Sequence, residues 1–175
     1  DALRECGQIF WQRGWSVGTS SNYSAVIARN PVELVVTASG MDKGRLTRED
    51  FVRVGDDGKP IGDGQPKSSA ETMLHVMLAR PRQQQSEEVG AILHTHSVWA
   101  TLLSDLFAAD GGFDITGYEM LKGLAGVTTH EHVEYVPVFT NTQHIPTLAD
   151  EVEDRLFTNK TDFIHGFLIR RHGLY

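Results

Sequence analysis

The chain has 175 residues, 40% apolar and 22% charged, which suits one globular domain over 1–175 with a sizeable core. Sixteen basic against 23 acidic residues give a formal net charge of −7, which argues against a duplex nucleic-acid binder but leaves room for a small phosphorylated metabolite. A lone Cys6 excludes an intrachain disulfide and fits a reducing setting; no signal peptide is visible and no apolar run is long enough to span a membrane, so a cytoplasmic protein is expected. The start at Asp1 and the stop at Tyr175, inside an apolar segment, lead us to expect truncated termini.

In chain order, "DALRECGQIFWQRGW" places Leu3, Cys6, Ile9 and Phe10 on a helical stripe that ends at Gly14. "SNYSAVIARN" and "VELVVTAS" predict two strands joined at Asn30-Pro31 as a hairpin. A polar loop, "SGMDKGRLTRED", follows, with Thr47 as a cap, and "FVRVGDDGKPIG" predicts two short strands about a glycine turn. "SSAETMLHVMLAR" predicts a helix capped by Ser68 or Ser69, with Met73, Leu74, Met77 and Leu78 as its core stripe. "VGAILHTHS" predicts a buried strand, and a helix begins at Ser97. "YEMLKGLAG" predicts a short helix, "HVEYVPVF" a strand, "TLADEVEDRLF" an amphipathic helix, and "DFIHGFLIRRHGLY" one or two further strands. Strands interleaved with helices and hairpins predict a layered α/β sandwich with a mixed sheet.

His94-Thr95-His96 closes the buried strand. Side chains at i and i+2 leave the same face of a strand, so both imidazoles can converge on one Zn²⁺. A catalytic zinc needs a third ligand, and His172 is favoured: it too ends an apolar strand, with Gly173 behind it to permit close approach. His75, on the flank of its helix, reads as packed or exposed. The pair His130 and His132 lacks the apolar run-up.

Two carboxylates stand at predicted helix starts, Glu71 and Glu119, where the helix dipole alone would account for them. Spacing assigns a catalytic role to neither. "GTSSNYS" (18–24), "TASG" (37–40) and "KSSAE" (67–71) supply small polar corners that can cradle a phosphate, with Lys67 reinforcing them.

In this order, Ser21-Asn22-Tyr23-Ser24, Thr37-Ala38-Ser39-Gly40, Ser69-Ala70-Glu71, His94-Thr95-His96 and Arg171-His172-Gly173 resemble the motifs of the class II aldolase/adducin family. The likeness covers nearly the whole chain, with two departures: Ala70 stands for a serine and Arg171 for an asparagine. It implies a three-layer α/β/α sandwich with a mixed, largely antiparallel central sheet, and a homotetramer with active sites near subunit interfaces. It implies one zinc per subunit on His94, His96 and His172, and a phosphate pocket of Ser21, Asn22, Ser39, Gly40 and Ser69. "GYEMLKG" and "FLIRRHGLY" resemble the family's dehydratase branch, which acts on 5-methylthioribulose 1-phosphate in methionine salvage. There Glu119 would be the acid/base and the product a 2,3-diketone. Alternatives are a zinc sugar-phosphate aldolase using Glu71, or an adducin-like interaction module without catalysis.

Overall fold

The computed structural model describes residues 1–82, 88–158 and 165–175. The predicted hairpin is present: β1 (Asn22–Arg29) and β2 (Val32–Thr37) run antiparallel, with Ser24 opposite Val36. β3 (Phe51–Val54) extends it beyond β2, and β4 (Ala91–His94) lies on the far side of β1 with His94 opposite Asn22. A second group consists of β5 (Gly112–Ile115), β6 (Glu134–Phe139), β7 (Leu168–Ile169) and β8 (Gly173–Leu174), in that order. Only β6 and β7 pair in parallel among the described strands. The two groups join just past β4. There Thr95 and Leu174 each donate an N–H to the other's carbonyl at 2.9 Å, making the sheet effectively continuous, mixed and largely antiparallel.

Helices cover both faces. On one, α2 (Thr72–Ala79) and α4 (Ile145–Phe157) pack together over Leu34, Val36, Val52, Val54, Ile92 and Ile169. On the other, α1 (Ala2–Gln12) sets Phe10 edge-on to Tyr23 at 5.8 Å, and α3 (Val98–Leu106) covers Val136, Val138 and Leu168. Side chains alternate along each strand, which sends Tyr23 to one layer and Ser24 to the other. The result is the expected α/β/α sandwich.

Four local expectations change. The helix predicted from Ser68 or Ser69 begins only at Thr72; Ser69 Oγ accepts the Glu71 N–H at 3.3 Å ahead of it, and both side chains are also bonded into the site described below. α2 is buried on nearly every side instead of along one stripe, since α4 covers what would have been its outer face. The strand β5 arises from "GGFDITG", whose apolar alternation is only two residues deep, Phe113 and Ile115 about Asp114. It forms because Gly112 lets the chain approach β6, where any side chain would crowd the Val136 carbonyl at 2.6 Å. The second strand predicted after β3 is reduced to an isolated bridge between Val54 and Pro60. Residues 162–164 of the last predicted strand segment lie outside the described residues.

Candidate metal centre

The Thr95–Leu174 splice brings the two halves of the site together. His94 ends β4, His96 follows two residues on, and His172 immediately precedes β8. His94 Nε2 lies 2.8 Å from His96 Nε2, which lies 3.1 Å from His172 Nε2. All three candidate ligand atoms fall within 4.8 Å of one another. Tetrahedral ligand nitrogens about 2.0–2.1 Å from a zinc would stand roughly 3.4 Å apart. The donor set therefore fits one metal ion.

The surroundings hold His94 and His96 in their ligand form. His94 is fully buried, stacks on Tyr175 at 4.1 Å, and donates from Nδ1 to the Leu174 carbonyl at 3.0 Å, which leaves the Nε2 lone pair facing its partners. Burial first, then repulsion from neighbouring histidines, hold the His94 pKa well below its usual value. Burial, with His172 and Lys43 nearby, lowers that of His96 to about 4. Both rings are thus neutral at pH 7, the state that binds metal. A side chain at Gly173 would collide with the Thr95 carbonyl and touch the His94 ring, so the glycine is needed for the approach. Arg171 has φ +54°, a left-handed conformation that asparagine adopts more readily. Here the arginine is held there by α3: its N–H donates to Ser104 Oγ at 2.9 Å and its Nε sits 3.0 Å from Asp105.

Glu71 reaches the same point from the other side of the sheet's end. Its Oε1 is 3.3 Å from His172 Nε2 and its Oε2 is 3.6 Å from His94 Nε2. Asn22 Nδ2 donates to Glu71 Oε2 at 2.6 Å and to Ser69 Oγ at 3.1 Å. Behind Asn22 lies His75, fully buried and held neutral because burial lowers its pKa to about 3. Its Nε2–H donates to Asn22 Oδ1, and its Nδ1 accepts from Ser24 Oγ at 2.7 Å. A chain of hydrogen bonds thus orients the carboxylate beside the imidazoles.

A cleft of about 210 Å³ opens beside the triad, lined by Ser21, Asn22, Ser39, Gly40, Ser69, Glu71 and His96. Ser21 and Gly40 are both left-handed, at φ +72° and +80°, turning the chain sharply around it. Lys67 is exposed and does not line the cleft; its contribution there is a carbonyl that accepts the Ser39 N–H at 2.8 Å. Glu119 is 68% exposed and meets Lys122 and His130 rather than the triad. Two polar residues that sequence reasoning does not assign to the site belong to it: His75, and Lys43, which lines the cleft. Lys43 sits in an aperiodic polar loop, where no spacing signals a site.

The chain is 46% identical over 174 residues to methylthioribulose-1-phosphate dehydratase of Marinobacter nauticus, covering 99% of this chain and 79% of that protein. It is 42% identical over 173 residues to the dehydratase of the same name from Sorangium cellulosum, covering 99% and 78%. Among solved structures, L-fuculose-1-phosphate aldolase from Thermus thermophilus superposes with a TM-score of 0.70 at 25% identity, covering 99% of this chain and 75% of that one. An aldolase II superfamily protein from Pseudomonas syringae does so with a TM-score of 0.68 at 18% identity, covering 98% and 62%. The sequence profile of the Class II Aldolase and Adducin N-terminal domain matches residues 1–175, and the chain belongs to that family.

Proposed function

We propose that this chain is a hydro-lyase that removes water from 5-methylthioribulose 1-phosphate, giving the 2,3-diketo-5-methylthiopentyl 1-phosphate of methionine salvage, and that its metal is Zn²⁺, one per subunit. The observation that carries the reading is the three-imidazole site with Glu71 beside it, in a chain 42–46% identical to named dehydratases. When bound, the ion supplies a Lewis acid that polarises the substrate's C2 carbonyl.

The chain's own groups do the rest. Ser21, Ser39, Gly40 and Ser69 bind the phosphate at C1, while Asn22 holds Glu71 toward the histidines. Removing the C3 proton and expelling the C4 hydroxyl as water leaves an enol that tautomerises to the diketone. Glu71 is the carboxylate at hand within the chain. Glu119 serves as acid/base from a neighbouring subunit of a homotetramer, a reading supported by its exposure between Tyr118 and Met120, which are 65% and 86% exposed.

The nearness of Glu71 to the imidazoles also favours a second reading, retro-aldol cleavage of a ketose 1-phosphate. Product analysis separates the two. Metal-loaded protein given methylthioribulose 1-phosphate should generate diketone absorbance and no dihydroxyacetone phosphate. Release of triose phosphate without diketone would make the protein an aldolase.

A further inference from the structure

We propose that the Lys43 ammonium is the counter-ion of the substrate's phosphate dianion, at the inner wall of the cleft beside the metal centre. This rests on the reading of that cleft as the phosphate site.

Lys43 is 1% exposed, an unusual place for an ammonium. Its Nζ donates to the Met41 carbonyl at 2.7 Å and the Thr19 carbonyl at 3.2 Å, so one of its three N–H donors has no acceptor among the described residues. Those acceptors are neutral, and a buried charge without an opposite charge is costly. Lys59 and Lys122 pair with Asp57 and Glu119, whereas Lys43 makes no ion pair among the described residues.

The carboxylates whose field it feels, Asp42 and Asp50, are occupied elsewhere. Asp42 Oδ1 accepts the Gly44 N–H at 2.9 Å, and Asp50 Oδ2 accepts the Thr47 N–H at 2.7 Å and its hydroxyl at 2.9 Å. Burial lowers the Lys43 pKa to about 8, which still leaves it mostly protonated at neutral pH. Of the two carbonyls it grips, one belongs to Thr19, which lines the cleft, and the other to Met41, next to Gly40, which also lines it. Among the described residues lining that cleft, Lys43 alone carries a fixed positive charge; the others offer hydroxyls, amides, a carboxylate and an imidazole. A phosphate seated against Ser39, Gly40 and Ser69 would supply the missing charge.

The test is titration of inorganic phosphate into metal-loaded wild type, K43M and K43R, read by competitive inhibition and by the rise in melting temperature. Losing a charge-assisted hydrogen bond weakens binding about tenfold to a hundredfold, which is the loss expected in K43M at unchanged metal content. K43R, which keeps the charge, should recover most of it. Wild-type affinity in K43M, or an equal loss in K43R, overturns the assignment of Lys43 alone. Failure of the wild type to bind phosphate overturns the phosphate cleft as well. Should K43M not fold, the wild type labelled with ¹⁵N-lysine decides. The buried, slowly exchanging Lys43 ammonium resonance should shift at saturating phosphate, and an unmoved resonance overturns the proposal.

Discussion

A single hydrogen-bond chain, Ser24 to His75 to Asn22 to Glu71, sets the orientation of the site's carboxylate. Replacing His75 by leucine strands Asn22 Oδ1 and Ser24 Oγ in the core. That should cost about 1–3 kcal/mol of stability and lower kcat through a misaimed Glu71. Urea denaturation and steady-state kinetics read the two effects separately, and an unchanged kcat in a folded H75L protein would remove the link to Glu71. E71Q should reduce turnover on the order of 10²-fold or more while metal content stays constant. The histidine triad is legible in the sequence because the two-residue period of a strand and the glycine after His172 are local signals. His75 and Lys43 are not, because what defines them is a partner elsewhere: Asn22 lies 53 residues from His75, and Thr19 lies 24 from Lys43. Arg171 departs from the family's asparagine, yet the structure keeps the backbone conformation that asparagine favours, so that departure leaves the ligand position intact.

At the level of elements, everything converges on the splice between β4 and β8. G173A would push the Thr95 carbonyl away and open the Thr95–Leu174 bridge, separating His172 from His94 and His96. We expect loss of bound metal, measured by elemental analysis, together with a lower melting temperature; a stable G173A protein with full metal would refute this role for the splice. Leu148 of α4, 1% exposed, is a contrasting position. L148A should cost about 2–5 kcal/mol in denaturant unfolding, yet leave metal binding by the folded fraction unchanged. The elements with a clear apolar pattern or run are readable from sequence: α1, the β1–β2 hairpin, α2, β4, α3, β6 and α4. Strand order is not, since the parallel β6–β7 pair and the β4–β8 splice join segments far apart in sequence. Nor is β5, whose alternation spans only Phe113 to Ile115 and whose pairing also depends on what Gly112 allows.

For the molecule as a whole, His75, His94 and His96 are all held below the usual histidine pKa of 6.5, at about 3, well below it, and at about 4 respectively. The unfolded chain therefore binds more protons than the folded one in mildly acidic solution. Stability of the metal-free protein should be fullest above pH 6.5 and fall as pH drops toward 4, with the denaturant midpoint lower at pH 5 than at pH 7. A midpoint that rises on acidification would contradict the buried neutral histidines. The proposed delivery of Glu119 across a subunit interface is tested by mixing. Hybrids of inactive E119Q and H172A chains should regain about a quarter of wild-type activity if each site draws Glu119 from a neighbour, and none if each chain uses its own. The most direct test of the central claim, that the three imidazoles hold the ion on which dehydration depends, is a metal titration of the stripped protein followed by turnover. One equivalent of Zn²⁺ per chain should restore full activity to the wild type, and H172A should bind metal poorly and stay inactive. Full turnover by the stripped protein, or by H172A, would contradict it.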